Sequence, residues 1–426
     1  MVAMDHSTNA DRERLTGARV WMRPIFNGLR VGVVGYAATL PVMMAALSAA
    51  GAHSVQVGTA LLALGLCMGV PALALSLRYR MPISIAWSTA AAATLVAHGP
   101  VQGGLPQAAC AFLIAGLLSV LTAFCRSLAG WVAAVPASIA SAMLAGMLLG
   151  VCVAPLRALV GDPVVIAPVL AAWLLARLHA PALAIPTAMC VAWWMIVLVG
   201  WTPAVSMPSD VQVLALVKLG GDVLAALPLA FSLFLVTMLA QNAPALGVLR
   251  SEGFDVKAEP VLLSAGAASM VSALFGAPGV SLAAVTAAMC AGDESGPARA
   301  RRWVAAAVAG LSQIALGLGS GVIAWWILSL PSTVVATIAG VAMTGTFVDS
   351  LRRIRHEKGR PLTMAVVALA TGTVVPGIGG PLLGLGLGLL VHLIESCIAR
   401  CKARVQAGMP LSPSTADSCS TLEPRP

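Results

Sequence analysis

Charge is what this chain has least of: only 10% of its 426 residues are Asp, Glu, Lys or Arg, where a soluble domain carries roughly a quarter. No Asp or Glu falls in the middle of a long apolar stretch, and nothing resembles a detachable soluble domain. The nine cysteines contain no CxxC pair. Most of them, as Cys67, Cys110, Cys152, Cys190 and Cys290, sit inside apolar runs as small core residues do. Cys397 and Cys401 are one helical turn apart, but a metal site there needs more ligands than the neighbourhood offers. Six dispersed histidines supply neither a metal cluster nor a nucleophile–base pair, which argues against a membrane-embedded enzyme. No metal or cofactor is expected. The basic residues form no patch or stripe, so the formal charge of +9 does not point to nucleic acid. The first two dozen residues are too polar for a signal peptide, and the first apolar run is expected to stay in the membrane.

What is present is hydrophobic length. The composition is 59% apolar, and runs of about twenty apolar residues recur throughout, each long enough to cross the roughly 30 Å hydrocarbon core as a helix. They predict an all-α integral membrane protein of fourteen spans. The first seven lie near 27–50, 55–77, 82–97, 104–125, 131–156, 162–178 and 182–201; the second seven near 222–248, 259–276, 279–291, 303–329, 331–348, 361–375 and 377–398. With both termini in the cytoplasm, 23 of the 25 basic residues fall inside, leaving only Arg157 and Lys218 outside. That is the bias of the positive-inside rule, and losing one span would scramble every later loop. The tail, rich in Ser, Pro and Thr, reads as disordered.

Two segments recur at nearly one offset. Pro136 to Gly150 matches Pro331 to Gly345 in proline and glycine placement, and Ala86-Trp-Ser-Thr89-Ala-Ala matches Ala283-Ala-Val-Thr286-Ala-Ala. A repeat unit of seven spans is odd, so the two copies are inverted relative to one another, as in secondary transporters. Spans three and ten are too short to cross as helices. Pro82 to Ala97 would reach only about 24 Å. An extended start through Trp87, followed by a short helix capped by Ser88 or Thr89, reaches roughly 35 Å. Pro278-Gly-Val-Ser281-Leu, leading into Ala283–Ala291, repeats the pattern from the other face. The two half-helices then begin near the bilayer midplane, and their free N–H groups suit an anion such as a carboxylate.

Polar residues within spans are few. Gln241 and Asn242, with Thr237 one turn earlier, either line a substrate cavity or bond to a neighbouring helix. Ser84, Ser88, Thr89, Ser281 and Thr286 each also read as caps or packing residues. Gly28-x3-Gly32 and Gly380-x3-Gly384-x3-Gly388 suit close helix packing. No proton carrier is evident.

Several stretches resemble the BenE family of benzoate–proton symporters: Leu75 to Thr89, with its Ala86-Trp-Ser-Thr; Thr237 to Pro244, with its Gln-Asn-x-Pro; Leu282 to Glu294; and Pro136 to Gly146. The likeness runs from about Arg23 to Ile398. Where that family usually has Pro-Gly after Ser-Thr, this chain has Ala90-Ala91; Ala245 replaces a Gly, and Pro278 and Ser281 replace a His and an Asn. The resemblance implies the fold of the nucleobase and sulfate transporters, with core segments at 27–125 and 219–329 and gate segments at 126–218 and 330–399. Residues 1–26 and 400–426 would be cytoplasmic. It also implies a homodimer in a bacterial inner membrane, importing a benzoate-like small organic anion with a proton as the core slides past the gate. The substrate positions it implies are Trp87, Ser88, Thr89, Gln241, Asn242, Ser281 and Thr286. A passive channel or facilitator, a transporter of another small organic anion or nucleobase-like solute, or a sensor of the same fold is the alternative.

Overall fold

The computed structural model describes residues 18–125, 130, 135–201, 214–356, 361–372 and 383–395. Within them the chain is helical apart from one pair of three-residue strands. In chain order the elements are α1 (Ala18–Ala49), α2 (Ser54–Tyr79), β1 (Ile85–Trp87), α3 (Thr89–His98), α4 (Gly104–Phe124), α5 (Ala137–Gly161), α6 (Pro163–His179) and α7 (Ala184–Leu198). The second half brings α8 (Val223–Thr237), a π-helical turn (Met238–Asn242), α9 (Ala243–Ser251), α10 (Ala258–Ala273), β2 (Val280–Leu282) and α11 (Ala284–Ala291). It ends with α12 (Trp303–Leu318), α13 (Ser320–Leu328), α14 (Ser332–His356), α15 (Pro361–Gly372) and α16 (Leu383–Glu395).

The fourteen expected segments each fall on such an element or on a strand followed by a helix. By length and composition, seven helical stretches are able to cross a bilayer unaided: α1, α2, α4, α5, α7 together with the helical turn before it (Pro181–Leu198), α8 running on into α9, and α14. The stretch expected as one span at 303–329 is α12 and α13, bent by 66° where Gly319 separates them. The helices α6, α15 and α16 are shorter. The loops expected at 126–129 and 202–213, Gly380, and the tail after Glu395 lie outside the described residues.

Small residues let the helices approach closely, so backbone packing takes the place of the hydrophobic force that lipid cannot supply. At Gly32 of α1 an added Cβ would stand 2.6 Å from Ser312 Cβ of α12, and Gly28 meets the same helix at Ala305. The expected role of Gly28-x3-Gly32 in close packing is what these contacts provide. Helix α12 also packs along α2; α10 and α8 pack against α4; and α14 and α15 pack against α5. Four helices surround the strand pair: α2 packs on β1 and α10 lies along β2, while α1 touches both α3 and α11 and α8 touches α3.

Candidate functional site

The two segments that are too short to cross as helices are both interrupted, and they meet. β1 and β2 pair antiparallel, with Ile85 opposite Leu282, Ala86 opposite Ser281 and Trp87 opposite Val280. Because the strands are antiparallel, α3 and α11 leave the ribbon from opposite ends, and the first turn of each helix faces back toward the strands. Side chains of neighbouring elements hold the ribbon in place. Ser76 of α2 donates to the Ile83 carbonyl at 3.1 Å. Ser269 of α10 donates to the Val280 carbonyl and accepts from the Val280 N–H, both at 3.0 Å. The Ser88 N–H reaches across to the Gly279 carbonyl at 3.1 Å.

The two helix starts differ. Ser88 is the N-cap of α3, its Oγ accepting the Ala91 N–H at 3.2 Å, as the sequence led one to expect. For α11 the N-cap position is Ala283, which has no side-chain oxygen to offer. Three orphan donors at that end therefore have no cap, and the positive end of the helix dipole is uncompensated. The notion that Ser281 might cap α11 is corrected: it is a strand residue paired with Ala86, two positions before the cap.

All seven sequence-derived residues lie at this crossing, but they do different things. Trp87 is buried and donates its Nε1–H to Thr39 at 2.8 Å. Ser88 Oγ also lies 3.0 Å from Thr237 Oγ1. Gln241 donates from Nε2 to Thr89 Oγ1 at 3.1 Å. Asn242 accepts the Leu282 N–H of β2 at 2.9 Å, so its amide is committed to a neighbouring backbone, the duller of the two roles open to it. Thr286 accepts from Ser84 Oγ at 2.9 Å and donates to the Ala283 carbonyl at 3.2 Å. Ser281 stands apart: it is fully buried, and its hydroxyl has no hydrogen-bond partner.

Three features escaped the sequence reading. Gln241 and Asn242 sit on a π-helical turn, which inserts an extra residue per turn and is frequent at functional sites. Tyr36 and Thr39 of α1 face Trp87, the Tyr36 ring lying 4.5 Å from it at 46°. A tyrosine in mid-span, one of two in the chain, was a signal that went unread. A small cavity of about 20 Å³ lies behind the ribbon, lined by residues including Ala91, Phe112, Phe234, Thr237, Ser269 and Gly279. It has room for a water, not for an aromatic ring, which needs a void on the order of 150 Å³.

No cationic side chain makes a contact at the crossing among the described residues. The charges gather at the far end of α11 instead. There Arg302 is buried and pairs with Asp293 and Glu252, Arg30 pairs with Glu294, and Asn27 donates to the Met289 carbonyl at 2.7 Å. What the crossing offers a ligand is therefore neutral donors: uncapped backbone N–H groups and unpaired hydroxyls.

The family described as "Benzoate membrane transport protein" (BenE) matches residues 20–394. The chain is similar to the inner membrane protein YdcO of Escherichia coli K12, 32% identical over 87% of this chain and 95% of that one. It is also similar to the benzoate membrane transport protein of Acinetobacter baylyi, 25% identical over 86% of this chain and 93% of that one. Among solved structures, the transmembrane domain of the cyanobacterial bicarbonate transporter BicA superposes with a TM-score of 0.59 at 17% identity, covering 86% of this chain and 98% of that one. At that identity the likeness is one of fold.

Proposed function

The chain belongs to the BenE family of benzoate membrane transport proteins, and from that premise we propose that it imports benzoate or a related small aromatic carboxylate across the bacterial inner membrane, with a proton and by an elevator movement. It is a multi-pass membrane protein of a transport family, not an enzyme.

One observation carries the reading: two interrupted segments pair as strands, and the helix that follows one of them starts without a cap beside a buried, unpaired Ser281 hydroxyl. Orphan N–H groups at a helix start, with the dipole behind them, are the ordinary protein device for holding an anion. A neutral site suits a carrier, because a ligand held by a fixed cation would be slow to leave. Trp87 and Tyr36 supply aromatic surface alongside, and Ser88, Thr89, Gln241, Asn242 and Thr286 shape and support the donors.

The wider reading follows the same lines. Fourteen crossings in two inverted halves, with both termini cytoplasmic, are supported by the antiparallel ribbon and by the gathering of basic residues on one side. A core at 27–125 and 219–329 sliding past a gate at 126–218 and 330–399 accords with the packing of α1, α2, α4, α8, α10 and α12 among themselves, and of α14 and α15 on α5. The homodimer rests on the family likeness alone. Proteoliposomes with an inward proton gradient are expected to accumulate labelled benzoate. Folded protein that moves no member of a panel of aromatic acids would overturn the proposal.

A second reading, an uncoupled facilitator, is favoured by one observation: among the described residues no carboxylate bonds to the crossing. Uptake that ignores the proton gradient and does not saturate would identify it.

A further inference from the structure

We propose that Tyr36 is a ligand-binding residue of this site, its phenolic hydroxyl donating to the carboxylate of the bound acid; the inference rests on the carrier reading above. Tyr36 lies on the one stretch of α1 that reaches both interrupted segments. Its ring packs on Trp87, the last residue of β1 and one position before the α3 cap. The preceding residue, Gly35, lies beside Thr286 of α11, where an added Cβ would meet Cγ2 at 3.9 Å. Three residues on, Thr39 accepts from Trp87. Tyr36 thus stands between the starts of the two half-helices.

Its environment leaves the hydroxyl with nothing to do in the protein alone. Tyr36 is 5% exposed, and its oxygen has no hydrogen-bond partner. The neighbouring polar groups are already engaged: Trp87 with Thr39, Ser84 with Thr286, Ser88 with Thr237, and Gln241 with Thr89. Leaving a buried donor unmet is unfavourable, and an apolar residue of the same shape would avoid the penalty. Phenylalanine would fill the same space against Trp87, so packing accounts for the ring and not for the oxygen. Among the described residues the only other buried hydroxyl without a partner is Ser281, on the paired strand. A carboxylate accepts from several donors at once. The Tyr36 hydroxyl, packed beside Trp87 and without a partner of its own, is free to serve as one of those donors.

The test is Tyr36→Phe in the full chain, purified in detergent, with benzoate and cyclohexanecarboxylate titrated by calorimetry. Loss of one hydrogen bond to a charged group is expected to weaken both acids by the same factor, roughly tenfold. Without ligand the variant is expected to melt no lower than the parent, since no protein contact is removed. Unchanged affinity for benzoate overturns the proposal. So does a loss confined to benzoate, which would assign the effect to the ring. A variant that melts lower without ligand, or fails to fold, also overturns it by giving the hydroxyl a structural partner. A parent protein that binds neither acid nor any other aromatic acid defeats the carrier reading itself, whereas a parent that binds and a variant that binds equally well defeat only the role of Tyr36.

Discussion

Asn242 and Gln241 are neighbours in sequence with unlike tasks. Asn242 meets the backbone N–H of Leu282, a buried group on a strand only three residues long. Replacing it by Ala leaves that donor unsatisfied, at a cost of about 1–3 kcal/mol. Gln241 bonds a hydroxyl, Thr89, that is only partly buried and can turn to another partner. Asn242→Ala is therefore expected to lower the thermal midpoint clearly in the absence of ligand, and Gln241→Ala to lower it little while weakening benzoate binding severalfold. Thermal unfolding with and without benzoate separates the two; equal loss of stability in both variants would contradict this division of labour. Thr286→Val takes the acceptor from Ser84 and is expected to act on binding and stability together. These assignments could not be read from residue types alone. Asparagine and glutamine present the same groups, and only the tertiary partner decides which is committed to the backbone.

At the scale of the element, the difference between α3 and α11 is the informative one. Both are half-helices behind a strand, but α3 carries its own cap in Ser88 whereas α11 starts at Ala283 with none. If the uncapped end holds the anion, supplying a cap should compete with the ligand. Ala283→Asp places a carboxylate where it can accept the N–H groups of the first turn, an arrangement that stabilises a helix by about 1 kcal/mol. The expected result is a protein that is as stable as the parent or more so, and that has lost most of its affinity for benzoate in a thermal-shift titration. Retained affinity would place the anion elsewhere. Ser88→Ala should do the opposite to stability, costing about 1–2 kcal/mol through the lost cap and the lost bond to Thr237. The interruption of both segments was legible in the sequence because sixteen residues do not span a membrane as a helix and Pro82 and Pro278 precede extended runs. The asymmetry of the caps was not legible, since the repeat sets Ala283 opposite Ala86 rather than Ser88 and the sequence offered Ser281 as a cap. The π-helical turn was not, because an extra residue per turn leaves no mark on composition, and neither was the bend between α12 and α13 in a run that reads as continuously apolar.

For the whole molecule the question is which way each half faces, and charge and geometry bear on it independently. The antiparallel ribbon requires segments three and ten to run in opposite directions through the same layer. An odd number of crossings per repeat produces that relation, and an even number does not. The ion pairs of Arg302 with Asp293 and of Arg30 with Glu294 place the start of α12 and the N-terminal part of α1 on the same face as the end of α11. That face collects the basic residues of the loops after α2 and α14 only if an even number of crossings separates each loop from the end of α11, as the fourteen-span arrangement requires. A single cysteine at Arg353, after replacement of the native cysteines, is therefore expected to react with a membrane-impermeant thiol reagent in inside-out vesicles and not in intact spheroplasts. One at Asp162, between α5 and α6, is expected to show the reverse. A third cysteine at Arg177, compared with the one at 162, isolates the short helix α6, since 162 and 177 lie at its two ends and only a crossing puts them on opposite sides. Labelling of both positions from one side would remove an odd number of crossings between them, and the two halves would no longer be inverted.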